Sequence, residues 1–284
     1  MSQKKKPNST DPRGRRAMAN TKIMKLSREL RQVVKLLEEV DAEAHDAARD
    51  SFPSDYSPLY NFDQAMLVRG INTLKSVRIL VEAGHWEMAN ALLRQLLELV
   101  ANIEYLSNML DRDDAALQYV RYGLLQKVQQ QALTLEYNEN SGRSIDTTRL
   151  AELQSALSGS AFDEFKATTK DGSLKFVASW CRRNMTELCE ASSNPLRMHQ
   201  YKLLYSPWSE QVHATPGALI DAIMRTSGPG WEQAVMETDE TQIHEAVSMA
   251  VTLFVELRGF LPAIQAPDPT AVSSWMERVK PKSA

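Results

Sequence analysis

The chain has 284 residues, of which 43% are hydrophobic, with 11 glycines, 12 prolines and a formal net charge of −3. This length is sufficient for one large domain or two small ones with a real core. The low glycine content and the scarcity of alternating apolar and polar residues argue against β-sandwiches, β-barrels and glycine-rich nucleotide-binding folds. We therefore predict an all-α fold, and the slightly negative charge gives no overall attraction to nucleic acid.

The first 19 residues differ from the rest of the chain because they are basic and almost free of apolar side chains. The basic residues Lys4, Lys5, Lys6, Arg13, Arg15 and Arg16 are opposed by Asp11 alone. Such a segment cannot bury enough apolar surface to offset its ordering entropy, which predicts a disordered basic tail over 1–19 and a single helical domain over 20–284. Neither an apolar signal segment nor a run of about 18 apolar residues occurs, so we expect a cytoplasmic protein without membrane contact.

Apolar residues at helical spacing predict an irregular multi-helix bundle built around a central antiparallel hairpin over 62–110. Gly84 lies where a left-handed cap would join the two helices of that hairpin. The predicted helices span 21–48, 62–83, 86–110, 115–136, 147–156, 174–191, 196–205 and 240–260, with short helices starting at Pro207 and Pro216 and a last amphipathic piece around Trp275. Asp239 is the predicted N-cap of the helix over 240–260.

The run Ala91–Leu99 places Arg94 and Glu98 one turn apart inside an otherwise apolar helix. Their face of the helix also carries small or polar residues, namely Ala91, Ala101, Asn102 and Tyr105. A solvated face normally carries long charged side chains throughout, so this composition indicates a face that meets a second layer of protein or a pocket. The alternative is an exposed ion pair, which contributes roughly 0.2–0.5 kcal/mol.

The segment 201–213 gathers hydroxyls and aromatic rings around one histidine. Ser209 and His213 are four residues apart on one helical face, and the helix dipole favours a protonated imidazole in the last turn. His213 is therefore a candidate for proton transfer, and the alternative is a histidine that caps the final carbonyls. Isolated buried polar groups are costly unless they find each other, so we expect Arg94, Glu98, Tyr205, Ser209 and His213 to meet in one polar cluster.

The cysteines and histidines give no further chemistry. Cys181 and Cys189 lie on the predicted helix 174–191, roughly 12 Å apart along its axis, which is too far for a disulfide and predicts buried thiols. Glu210 and His213 have the Glu-x-x-His spacing of di-iron bundles, but five histidines among 36 acidic residues produce such pairs by chance. We therefore predict neither a metal nor a cofactor.

These motifs together resemble a bacterial all-helical family known only as a domain of unknown function, over about residues 62–260. The resemblance is carried by the hairpin at Gly84, by the motif Ala91-x-x-Arg94-x-x-x-Glu98 with Tyr105-Leu106, and by Tyr205-x-x-x-Ser209-x-x-x-His213. It implies a single helical domain in which Arg94, Glu98, Ser209 and His213 match the polar signature of the family. It implies no established substrate.

A more distant similarity is to HEPN-type helical domains, many of which are metal-independent ribonucleases of toxin and phage-defence systems. Those domains carry an arginine a few residues before a histidine, whereas here Ser209 stands four residues before His213, so Arg94 would have to supply the cation. Two functions are therefore expected. The first is an interaction or sensor domain with a protein partner, in which Arg94, Glu98 and the segment 205–213 form a buried polar network that fixes the registry of the helices. The second is an RNA-cleaving enzyme with His213 as general acid or base, and either could form a homo-oligomer.

Overall fold

The computed structural model describes residues 26–51, 58–202, 216, 220, 223 and 231–280, and within them the fold is all-α, as predicted. The helices, numbered through these residues, are α1 (Arg28–Asp50), α2 (Pro58–Glu82), α3 (Trp86–Ser107), α4 (Arg112–Asn140), α5 (Thr147–Ser158), α6 (Met185–Glu190), α7 (Arg197–Gln200), α8 (Trp231–Gly259) and α9 (Pro269–Arg278). A 3-10 helix (Ser160–Phe165) leads into the antiparallel strands β1 (Lys166–Thr168) and β2 (Leu174–Phe176).

Four helices, α1, α2, α3 and α8, pack against one another and hold the main core. Gly84 adopts a φ of 80°, a left-handed conformation that glycine tolerates, and reverses the chain between α2 and α3. The predicted central hairpin is therefore confirmed. At Gly70 on α2, a Cβ would lie 2.8 Å from Leu257 and 2.9 Å from Phe254, so the absence of a side chain lets α8 approach closely.

Several helix starts follow from local capping chemistry. Asp111 and Asp146 accept hydrogen bonds from backbone amides of the first turns of α4 and α5, and Ser27 does the same for α1. The cap at Asp111 starts α4 three residues before the predicted position. Proline is favoured at the first position of a helix, and α2 begins at Pro58, four residues earlier than predicted.

Asp239 was predicted to cap a helix over 240–260, and this is wrong. The helix α8 begins at Trp231, so Asp239 lies within it. Its side chain accepts a hydrogen bond of 2.7 Å from the indole nitrogen of Trp86, at the start of α3. The carboxylate therefore joins two core helices and does not start one.

The predicted helix over 174–191 is also wrong, because two local signals divide this segment. Asp171-Gly172 forms the turn of a β-hairpin, with Gly172 at a φ of 83°, and β2 occupies residues that the helix would have used. Asn184 and Glu187 then form a reciprocal capping box, so the helix α6 starts only at residue 185. The helix predicted over 196–205 is observed as α7, and residues 203–205 lie outside the described part of the chain.

The helices α4 and α5 form an arm with its own apolar contacts. Leu125 on α4 packs with Phe162 and Phe165, and Ala132 on α4 packs with Leu150 and Leu153 of α5. Both clusters are separate from the main core. The arm is therefore held to the four core helices mainly through the first part of α4, where Ala115 and Ala116 are buried.

Candidate interaction site

Arg94 and Glu98 form an ion pair on α3, with 3.3 Å between Nε of Arg94 and Oε1 of Glu98. The Arg94 side chain is 21% exposed and the Glu98 side chain 37% exposed. The pair is thus neither fully solvated nor sealed in the core. The exposure of the pair is thus intermediate between the two predictions, a covered polar face and an exposed ion pair.

The C-terminal half of the same face lies under a second layer of protein, which is what its composition predicts. The indole nitrogen of Trp180 donates a hydrogen bond of 2.7 Å to the side-chain oxygen of Asn102. The Trp180 ring also packs edge-on against Tyr105, and the guanidinium of Arg183 lies 5.2 Å from the centre of the Tyr105 ring. The segment around residues 180–183 therefore covers α3 one turn beyond Glu98.

A buried ionic cluster lies beside this face and was missed by the sequence analysis. Nε of Arg197 on α7 donates to Glu104 on α3 at 3.1 Å, and its Nη1 lies 2.7 Å from Glu256 on α8. Arg197 is 0% exposed and Glu104 1% exposed. The hydroxyls of Ser192 and Ser193 donate to the same Glu104 oxygen at 2.6 and 3.0 Å. Three elements that are distant in sequence are thus joined by charge.

The hydrogen bonds to Glu104 and the charge of Arg197 lower the pKa of its carboxyl group. Burial alone raises the pKa of this carboxyl, but the Ser192 hydroxyl, the charge of Arg197 and the Ser193 hydroxyl together lower it below its ordinary value. Glu104 is therefore a carboxylate that is paired and fully coordinated. Its role is structural, because its oxygens already accept hydrogen bonds from Arg197 on α7 and from Ser192 and Ser193 in the loop before α7.

A second buried pair joins the start of α2 to the start of α4. Nη2 of Arg112 donates to Asp63 at 2.6 Å, and the backbone amide of Ala263 donates to the other Asp63 oxygen at 2.9 Å. Here burial dominates, and it raises the pKa of Asp63 despite the bond from Arg112. A third pair joins Arg258 on α8 to Glu43 on α1. Ion pairs in this molecule therefore fix helices against one another.

An open cleft of about 540 Å³ lies between α2 and α3. Arg94 and Glu98 do not line it, but they lie on the same stretch of α3 as Leu92 and Gln95, which do. Leu92 and Gln95 line it from α3, while Met66, Val68 and Arg69 are among the residues that line it from α2. Val68 is 45% exposed and so presents an apolar side chain in the cleft. We call this cleft, together with Arg94 and Glu98, the α3 surface.

The remaining predicted site residues, Tyr205, Ser209 and His213, lie outside the described residues. The structure therefore brings together Arg94 and Glu98, and their meeting with His213 stays a prediction. Tyr201, near the end of the described segment, packs beside Ala101 on the same face of α3.

Cys189 lies on α6 but Cys181 precedes that helix, so the prediction that both cysteines lie on one helix is wrong. Both thiols are free and both belong to the apolar cluster around Ala101. Burial raises the pKa of Cys189 to about 11. A thiol with that pKa is almost entirely protonated at neutral pH and is a poor nucleophile.

The comparison with protein families matched residues 64–230 to DUF5677, a family of unknown function. The chain belongs to this family. The DUF5677 segment contains the whole α3 surface, Glu104 and Arg197, together with Tyr205, Ser209 and His213. It begins two residues after the expected boundary and ends thirty before it, so α1 and α8, two of the four core helices, lie outside it.

Curated proteins and solved structures gave no match to this DUF5677 chain. Within the described residues, no group of three or more His, Cys, Asp or Glu side chains is placed to hold a metal ion. In the same part of the chain, every helix is too short or too polar to cross a bilayer.

Proposed function

We propose that this protein is a helical interaction domain whose α3 surface binds a partner protein. The observation that supports this most directly is that α3 carries both the partly exposed Arg94–Glu98 pair and one wall of an open cleft, in which Val68 of α2 is exposed. Protein interfaces combine apolar anchors with arginine side chains at sites that become desolvated on binding. The α3 surface offers both on two adjacent helices.

The packing of α3 favours a surface that is already formed before a partner arrives. The helix contacts α2 and α8 along its length, and Glu104 ties it to Arg197 and to the loop at Ser192. A surface that does not have to be ordered on binding saves conformational entropy and so increases affinity. The buried ion pairs therefore serve the interaction by holding the scaffold in place.

Tyr205, Ser209 and His213 are proposed to extend the α3 surface. A double-mutant cycle with Arg94→Ala and His213→Ala tests this, because residues in one polar network show coupling energies of about 0.5–3 kcal/mol. The measurement is the free energy of unfolding in urea. Additive effects of the two substitutions would show that the two side chains do not meet. The proposed surface would then consist of the α3 surface without Tyr205, Ser209 and His213.

Partner binding is tested by quantitative affinity capture from a lysate of the source cells, with four variants compared against wild type. Val68→Asp and Arg94→Glu should lose the same captured protein by at least tenfold. Ile79→Asp is the matched control for the first, because Ile79 is 59% exposed on α2 and does not line the cleft. Arg149→Glu is the control for the second. Equal capture by all four variants would contradict the proposal.

The purified protein also separates this proposal from the RNA-cleaving alternative that the HEPN similarity implies. Incubation with mixed RNA in the presence of a chelator should leave the RNA intact if the protein is an interaction domain. Cleavage by wild type that disappears in His213→Ala would assign the activity to the polar cluster and replace our proposal. Cleavage that survives His213→Ala would point to a contaminating nuclease.

A further inference from the structure

A second groove lies on another side of the molecule, where α1 begins and α9 ends. Its volume is about 520 Å³. Its apolar floor includes Leu30 and Val33 of α1, and its rim carries four carboxylates and two cations. The carboxylates are those of Glu29, Glu240, Glu245 and Glu277, and the cations are Arg278 and Lys280. These six groups therefore give the rim an excess of two negative charges.

The contacts of the two cations leave this rim acidic. Arg278 donates two hydrogen bonds to Glu39, at 2.5 and 3.1 Å, and Glu39 is not among the lining residues. Lys280 bonds to Glu277 at 2.5 Å. Glu245 makes no ion pair with the described residues. A basic and partly apolar ligand would thus match both the floor and the rim.

The chain enters α1 at the edge of this groove. The backbone amide of Ser27 donates to Glu240 at 3.0 Å, and Leu26 before it is buried. The six residues that precede Leu26 read Asn20-Thr21-Lys22-Ile23-Met24-Lys25. They provide two lysines and two large apolar side chains, which is the composition that the groove would recognise.

We propose that residues 20–25 occupy this groove in the same chain, with Ile23 and Met24 on the apolar floor and Lys22 and Lys25 at the acidic rim. Six extended residues span up to about 20 Å, which is long enough to cross the groove from Leu26. A tethered ligand acts at a high effective concentration, so modest contacts suffice to hold it. The proposal concerns a different face from the α3 surface and does not depend on the proposed function.

Zero-length carbodiimide cross-linking of the full chain, mapped by mass spectrometry, tests this placement. Lys22 or Lys25 should link to Glu245 or Glu277, which line the groove from α8 and α9. Links to Glu152, an exposed carboxylate on α5, measure the background. Yields to Glu245 and Glu277 at least fivefold above those to Glu152 are expected, and yields equal to background would overturn the proposal.

The apolar contacts are tested separately with Ile23→Asp and Met24→Asp, which leave all cross-linking groups in place. Each should lower the yield of these links at least fivefold, while Met18→Asp, outside the proposed segment, should not. An unchanged yield in both variants would contradict the apolar anchoring. Hydrogen exchange on the wild-type chain gives a second measurement that requires no variant. The amides of residues 20–25 should exchange at least tenfold more slowly than those of residues 1–19, and equal rates would also overturn the proposal.

Discussion

Arg197 and Glu104 form an ion pair in which Nε of Arg197 lies 3.1 Å from Oε2 of Glu104 and neither side chain reaches solvent. The pair joins α7 to α3 across 93 positions of the sequence. Removing one partner leaves the other charge buried and uncompensated, which typically costs 3–5 kcal/mol. The loss of one side chain therefore measures the cost of leaving the other charge buried without its partner.

We expect Arg197→Ala to lower the free energy of unfolding in urea by about 3–5 kcal/mol, because Glu104 and Glu256 would lose their buried cation. The matched control is Arg149→Ala, which removes an exposed partner of Glu152 and should change stability by less than about 1 kcal/mol. Similar values for the two variants would show that the Arg197 cluster is not structural.

The lowered pKa of Glu104 should make the stability of the folded protein depend on pH in the acidic range. Its pKa is lower in the folded state than its ordinary value, so between these two pKa values the unfolded state binds more protons and stability rises with pH. The contribution is complete above about pH 4.3 and is lost as the pH falls through the folded pKa. Glu104→Gln should flatten this part of the curve of unfolding free energy against pH. Asp63, whose pKa is raised, acts in the opposite sense in both proteins and cancels in the comparison.

Two glycines inside helices should respond oppositely to alanine. Gly70→Ala places a Cβ 2.8–3.0 Å from Leu257 and Phe254, so we expect destabilisation despite the higher helix propensity of alanine. Gly123→Ala on α4 has no atom within 4 Å of the new Cβ and should stabilise the protein by up to about 1 kcal/mol. Thermal unfolding of both variants gives the signs, and a stabilised Gly70→Ala would show that α2 and α8 can move apart at little cost.

A fragment that contains only the DUF5677 segment should not fold. Residues 64–230 lack α1 and α8, so the apolar faces of α2 and α3 that pack against them would be exposed to water. Circular dichroism and urea unfolding of this fragment should show low helicity and no cooperative transition, in contrast to the full chain. A cooperative transition would mean that the family segment has a sufficient core of its own.

Much of the bundle could be predicted because apolar residues recur at helical spacing in most of its helices. The helices α3 and α5 and the turn at Gly84 follow the pattern directly. The errors arose where a short polar signal governs the backbone: the Asp171-Gly172 turn and the Asn184–Glu187 capping box each divide a segment whose apolar content alone suggests one helix. Such signals extend over only a few residues. The apolar periodicity of a longer segment changes little when they are present, so it does not reveal them.

The candidate site was predictable only as far as its residues are close in sequence. Arg94 and Glu98 are one turn apart, so their pairing could be expected from α3 alone. Glu104 lies on the buried side of α3, near Val100 and Ile103, and a carboxylate at such a position is a signal that a buried partner exists. That partner is Arg197, which is 93 positions away in the sequence. Their pairing depends on how α7 packs on the bundle, and the spacing of nearby residues does not predict this packing.

Because the apolar clusters of the arm are separate from the main core, we expect the arm and the four core helices to behave as two cooperative units. The distal part of α4, with α5 and the β-hairpin, is held by contacts around Leu125 and Ala132 that the four core helices do not share. Opening these contacts exposes little of the main core, so the arm can unfold locally at a lower free energy than the whole domain. Proteases should therefore cut near the α4–α5 connection while the bundle that carries the α3 surface stays folded.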